Sequence, residues 1–111
     1  FGISDGEYLP IVKVQPQYPR RALSRGLAGY VIVEFTVTAQ GTVKDPFVVE
    51  NCGHIPNARS PVDCVDKPNS VFDSSAMKAA LKFKYKPKVI DGNPVETTGV
   101  QNKITFELAE S

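Results

Sequence analysis

The stretch that decides the fold is QPQYPRRALSRGLAGYVIVEF, residues 15–35. Pro16 and Pro19 keep the backbone extended, because the residue before a proline is pushed out of the helical region. Pro19 also suits the first position of a helix, where no N–H is needed. Residues 19–25 therefore read as a short helix with Ala22 and Leu23 turned inward, ended by Gly26 in the left-handed conformation. From residue 30 the period changes. Val31, Val33, Phe35 and Val37 alternate with Glu34, Thr36 and Thr38, as in a half-buried strand.

Working outward, residues 1–14 carry Gly2, Gly6 and Pro10 and read as an extended lead-in. Ala39-Gln40-Gly41 reads as a turn, and residues 42–50 as the returning strand. Pro46 cannot donate to a ladder, which puts that strand at a sheet edge or in a bulge. Residues 51–73 read as a long inserted loop without periodicity, a feature usually functional or specially tied. Phe72, Ala76, Ala79, Ala80 and Phe83 recur on one helical face, with Asp73 or Ser74 as cap and Pro87 as stop. Asp91-Gly92-Asn93 is a turn. Residues 95–108 read as a strand with Val100, Ile104, Phe106 and Leu108 inward.

The order predicts an α+β domain: a three-stranded antiparallel sheet with two helices packed on one face. Phe72, Ala76, Ala80 and Phe83 would pack on Val31, Val33, Phe35, Ile104 and Phe106. With the first strand central, the last strand is a free edge without proline after Pro94. Such an edge invites another strand.

Composition fits one globular domain: 111 residues, 41% hydrophobic and 23% charged. A net charge of +1 lacks the basic footprint of a nucleic-acid binder. No apolar run approaches the ~20 residues that span a bilayer. A start at Phe1 without a signal peptide suggests a mature or excised fragment, with any membrane segment upstream. Cys52 and Cys64, in a polar stretch, suggest a disulfide and an oxidising compartment.

Chemistry finds little support. His54, Asp63 and Cys64 sketch a metal site, but structural zinc wants four ligands in tight paired spacings. Cys52 and His54 have no third group to orient a base. His54 is read as an exposed histidine of a disulfide loop, and no catalytic, metal or cofactor site is expected. Lys78, Lys82, Lys84, Lys86 and Lys88 are read as a solvated helix face and its exit rather than an anionic-partner site.

The ordered set of residues is similar to the C-terminal periplasmic domain of the TonB family. The matching pieces are Gln15-Pro16-Gln17-Tyr18-Pro19, Ala22, Gly26, Gly29, then Val31, Val33, Phe35 and Val37 with Gly41 and Val43. Later pieces are Ala76-Ala79-Ala80, Phe83-Lys84-Tyr85-Lys86-Pro87, Gly92, Pro94-Val95 and Ile104-Thr105-Phe106. The likeness spans residues 8–109 apart from the loop, which suggests a TonB-like domain over 15–109. Phe83 stands where the family usually has tryptophan, and the 51–73 insertion is longer than in the simplest members.

The resemblance implies a non-enzymatic energy transducer without cofactors, periplasmic and anchored in the inner membrane by a segment outside this sequence. It implies an ExbB–ExbD motor as one partner. The other would be an outer-membrane transporter, as in iron–siderophore uptake, whose TonB-box peptide adds to the last strand. Gln15, Pro16, Gln17 and Tyr18 would frame that peptide along Val100, Gln101, Asn102, Lys103, Ile104, Thr105 and Phe106. No nucleic-acid partner is expected; a homodimer through the free edge is a possible state. Two other classes stay open: an interaction domain of the same fold with a non-transporter partner, and an enzyme built on Cys52 and His54.

Overall fold

The computed structural model describes residues 8–56, 64 and 68–108. Helix α1 (Arg20–Arg25) is followed by strands β1 (Ala28–Val37) and β2 (Val43–His54). A 3-10 turn (Ser70–Phe72) leads into α2 (Asp73–Ala80), then β3 (Lys88–Ile90), β4 (Asn93–Val95) and β5 (Thr97–Phe106). The main sheet is antiparallel with order β2-β1-β5, and β3 pairs with β4 as a separate ribbon.

Helix α1 is held at its exit. Gly26 lies at φ 67°, and its N–H reaches the carbonyls of Ala22 and Leu23. Leu27 N–H donates to Ala22 O at 2.9 Å, completing a glycine-terminated cap. Pro19 is the residue before the helix rather than its first residue. Ala22 is fully buried, but Leu23 is 53% exposed, a correction to the expected inward pair. Six residues give one inward stripe, and Leu27, turned in by the cap, takes the place assigned to Leu23.

Val31, Val33, Phe35 and Val37 of β1 are buried on the helix side, with Phe72, Ala76, Ala80 and Phe83 above them and Val100, Ile104 and Phe106 beside them. The rings of Phe72 and Phe106 stack at 4.3 Å. Pro46 lies on the outer strand β2, in the irregularity that separates the Glu34–Phe47 and Thr36–Lys44 pairs, so both sequence expectations for it apply. The preceding Asp45 takes φ 54°.

Several boundaries differ from the expectation. Strand β2 runs four residues past Glu50. Asn51 faces α2, where its amide donates to the Asp73 carboxylate at 3.0 Å, while Cys52 packs with Tyr30 and Cys64 on the opposite face. His54 is therefore the last strand residue, 6% exposed and opposite Ala28, not an exposed loop histidine. Residues 70–73 are helical, and Asn69, not Asp73 or Ser74, caps them by accepting from Val71 N–H at 2.9 Å. Asp63 and the rest of the expected loop lie outside the described residues, apart from 55, 56, 64, 68 and 69.

Helix α2 ends at Ala80, well before Pro87. The N–H groups of Lys82 and Phe83 bond back to Ala79 and Ala80, and the chain then extends. Phe83 and Tyr85 alternate inward while Lys84 pairs with Val12 of the lead-in. Phe83 fits the helical period but reaches the core from extended chain. Asp91 and Gly92, at φ 51° and 80°, form the two-residue turn of β3–β4 as a mirror-type hairpin requires. The last strand is divided: Val95 belongs to the ribbon, and β5 starts at Thr97 and stops at Phe106, before Leu108.

Candidate partner-binding groove

The lead-in crosses the molecule as a strap between α2 and the outer edge of β5. It is tied at both ends. Ile11 and Val12 bond to Lys84 at 2.7 and 3.1 Å. Tyr18 packs edge-on against Phe72 and Phe106 at 5.6 and 5.7 Å, and its hydroxyl donates to Leu27 O. Burial pushes the Tyr18 phenol pKa above its ordinary value. Prolines 16 and 19 keep the strap extended between these anchors.

A cleft of about 350 Å³ separates strap and edge, lined by Lys13, Val14, Gln15 and Pro16 on one side and Lys103, Ile104 and Thr105 on the other. Gln17 lines an adjoining cleft toward α2. Tyr18 lines neither and serves as the anchor of the strap. Val100, Asn102, Ile104 and Phe106 are buried, so their side chains belong to the core. On the outer face the Gln101 amide donates to Glu34 at 2.8 Å, and the Lys103 ammonium sits 4.2 Å above the Tyr30 ring.

The hydrogen-bonding parity of β5 follows from the neighbouring hairpin. Thr38 N–H donates to Thr42 O at 2.8 Å, so Thr38 faces β2. Main-chain groups alternate sides along a strand, so Val31, Val33 and Phe35 face β5. Their partners are Ile104, Asn102 and Val100. The N–H and C=O groups of Gln101, Lys103 and Thr105 consequently point away from β1, toward the cleft edge. Sequence alone does not give this parity, because it is set by which β1 residue closes the hairpin.

Residues that the sequence does not assign to a partner site also line the clefts: Lys13 and Val14, and on the α2 side Ser75, Ala79 of the core face, and Lys78 and Lys82 of the face read as solvated. Their signal is faint, a lysine next to an extended proline segment and a helical i, i+3, i+4, i+7 stripe. Among the described residues no group of His, Cys, Asp and Glu is placed to hold a metal ion. Both cysteine sulfurs are joined in the Cys52–Cys64 disulfide. No helix of the described residues is long and apolar enough to cross a membrane.

Residues 14–55 match the sequence model of the Gram-negative bacterial TonB protein C-terminal family. The TonB2 protein of Vibrio anguillarum is 31% identical; the match covers 91% of this chain and 81% of that one, with a TM-score of 0.56. The chain belongs to the TonB C-terminal family. The solution structure of the Pseudomonas aeruginosa TonB C-terminal domain is similar at 27% identity and TM-score 0.66, over 98% of this chain and 96% of that one. The curated TonB protein of Pseudomonas aeruginosa is 30% identical over 93 residues, 84% of this chain. The chain spans 23% of that relative's length. The TonB family match runs through the strap, α1 and the β1–β2 hairpin, so one wall of the cleft lies inside it.

Proposed function

We propose that this chain is the partner-gripping end of a TonB-type energy transducer. It takes the TonB-box segment of an outer-membrane transporter as an added strand on β5. It works in the periplasm and receives force from a proton-driven ExbB–ExbD motor, through an inner-membrane anchor outside this sequence. The observation that carries the reading is the cleft between the strap and the outward N–H and C=O groups of Gln101, Lys103 and Thr105. Outward-facing main-chain groups beside a groove are what strand addition requires: main-chain bonds supply affinity, and side-chain contacts supply selectivity. The opposite edge, β2, is broken at Pro46 and suits pairing poorly. Bonds that lie side by side along an edge also share a load applied along the strand, which suits a pulling device.

The test is a proline scan with its control. Lys103→Pro removes an outward N–H without deleting a β1–β5 bond, whereas Lys103→Ala changes only the side chain. The folded Lys103→Pro chain is expected to lose TonB-box peptide affinity by about tenfold, or 1.4 kcal/mol, relative to Lys103→Ala. Equal affinity of the two folded variants contradicts strand addition at this edge.

A further inference from the structure

The strap residues Val14, Gln15 and Pro16 line both clefts, so the second cleft, of about 160 Å³, lies across the strap from the strand slot. Its other wall is the stripe Ser75, Lys78, Ala79 and Lys82. Ala79 is buried at 4% exposure, while Lys78 and Lys82 are exposed. Lys78 stands in the last turn of α2, and Lys82 lies in the turn just past its end. Lys13 adds a third positive charge on the strand-slot side of the strap. Among the described residues no aspartate or glutamate lines either cleft. Among the described residues the one ion pair is Lys44–Glu96, so Lys13, Lys78 and Lys82 have no carboxylate partner there.

We propose that this second cleft is a separate subsite for an acidic segment flanking the strand-adding peptide, its carboxylates held by Lys78 and Lys82. The inference rests on strand addition at β5. The strand slot draws its affinity from main-chain bonds; the lysine cleft adds a charge requirement and selects partners with an acidic flank. Ser75, Gln15 and Gln17 bring neutral hydrogen-bonding groups to the same cleft.

The test uses TonB-box peptides that differ only in a flanking residue pair, aspartates in one and asparagines in the other, placed at each end in turn. Wild-type chain is expected to bind an aspartate-flanked peptide about fivefold more tightly than its asparagine twin, the size expected of one or two exposed ion pairs. That advantage disappears in the Lys78→Gln/Lys82→Gln variant and in about 1 M salt, where charges are screened beyond about 3 Å. The asparagine peptide binds wild type and variant equally. If both peptides bind wild type equally, or the advantage survives in the variant, the acidic subsite is overturned while strand addition stands. If neither peptide binds wild type, strand addition and the subsite fall together.

Discussion

The Tyr85 N–H donates to the Gly41 carbonyl at 2.8 Å, and the Tyr85 carbonyl occupies the space beside Gly41 where a side chain would begin. A Cβ there would lie 2.1 Å from that oxygen, and Gly41 sits at φ 84°. The β1–β2 turn and the extended exit of α2 are therefore locked to each other at a position only glycine can fill. Gly41→Ala is expected to lose at least about 2 kcal/mol in denaturant unfolding, from overlap and left-handed strain together. A loss below about 0.5 kcal/mol, the range of neutral surface changes, would contradict the lock.

The Cys52–Cys64 disulfide lies on the sheet face opposite α2, against Tyr30. Closing a loop of this length stabilises by about 3 kcal/mol in the chain-entropy model. Reduction is expected to lower the unfolding midpoint while the chain still binds TonB-box peptide, because the groove lies across the sheet from the bond. Peptide binding lost in a chain that remains folded after reduction would show that the insertion takes part in the groove.

Asn102 is 1% exposed, and neither polar atom of its side chain has a hydrogen-bond partner among the described residues. A buried unsatisfied amide costs about 1–3 kcal/mol. Asn102→Val keeps the strand and removes that cost, so a gain of about 1 kcal/mol is expected in urea unfolding. A clear loss of stability would mean that the amide is satisfied in solution by a group or water that the packing conceals.

The Tyr18 phenol has its pKa raised by burial, and its hydroxyl anchors the strap on Leu27 O. A folded-state pKa above the unfolded one means that the folded chain holds the proton more tightly. That stability is complete below the ordinary tyrosine pKa of about 10 and is lost as pH rises through the folded value. Stability is expected to fall on the alkaline side of pH 10, less steeply in Tyr18→Phe. Burial also raises Tyr8, so the variant retains part of the slope. Identical alkaline slopes for the two chains would remove Tyr18 from this role.

Sequence reading captured what periodicity encodes. The alternation of Val31 to Val37, the alanine face of α2 and the bulge-prone Pro46 all carry local physical signals, and they suffice for the sheet and its edge. It missed what long-range packing decides. Asn51 and Gly53 look like loop residues, yet they belong to β2 because β1 and Asp73 supply their partners. Phe83 matches a helical period by coincidence of spacing, and only its packing beside Tyr85 shows that the chain there is extended. Gln15 and Pro16 were legible as extended chain, and they line the cleft. Lys78 and Lys82 were legible only as a solvated lysine face, because a lysine beside a cleft and a lysine in open solvent look alike until the strap is in place.

The central claim is that β5 offers its outward edge to a partner strand. Amide hydrogen exchange measures this residue by residue. In the free chain the amides of Gln101, Lys103 and Thr105 are expected to exchange fast, while those of Asn102 and Ile104, bonded to β1, are protected. Saturating TonB-box peptide is expected to slow Gln101, Lys103 and Thr105 and leave the other two unchanged. If those three amides exchange at the same rate in free chain and in complex, the peptide binds elsewhere and the strand-addition account is wrong.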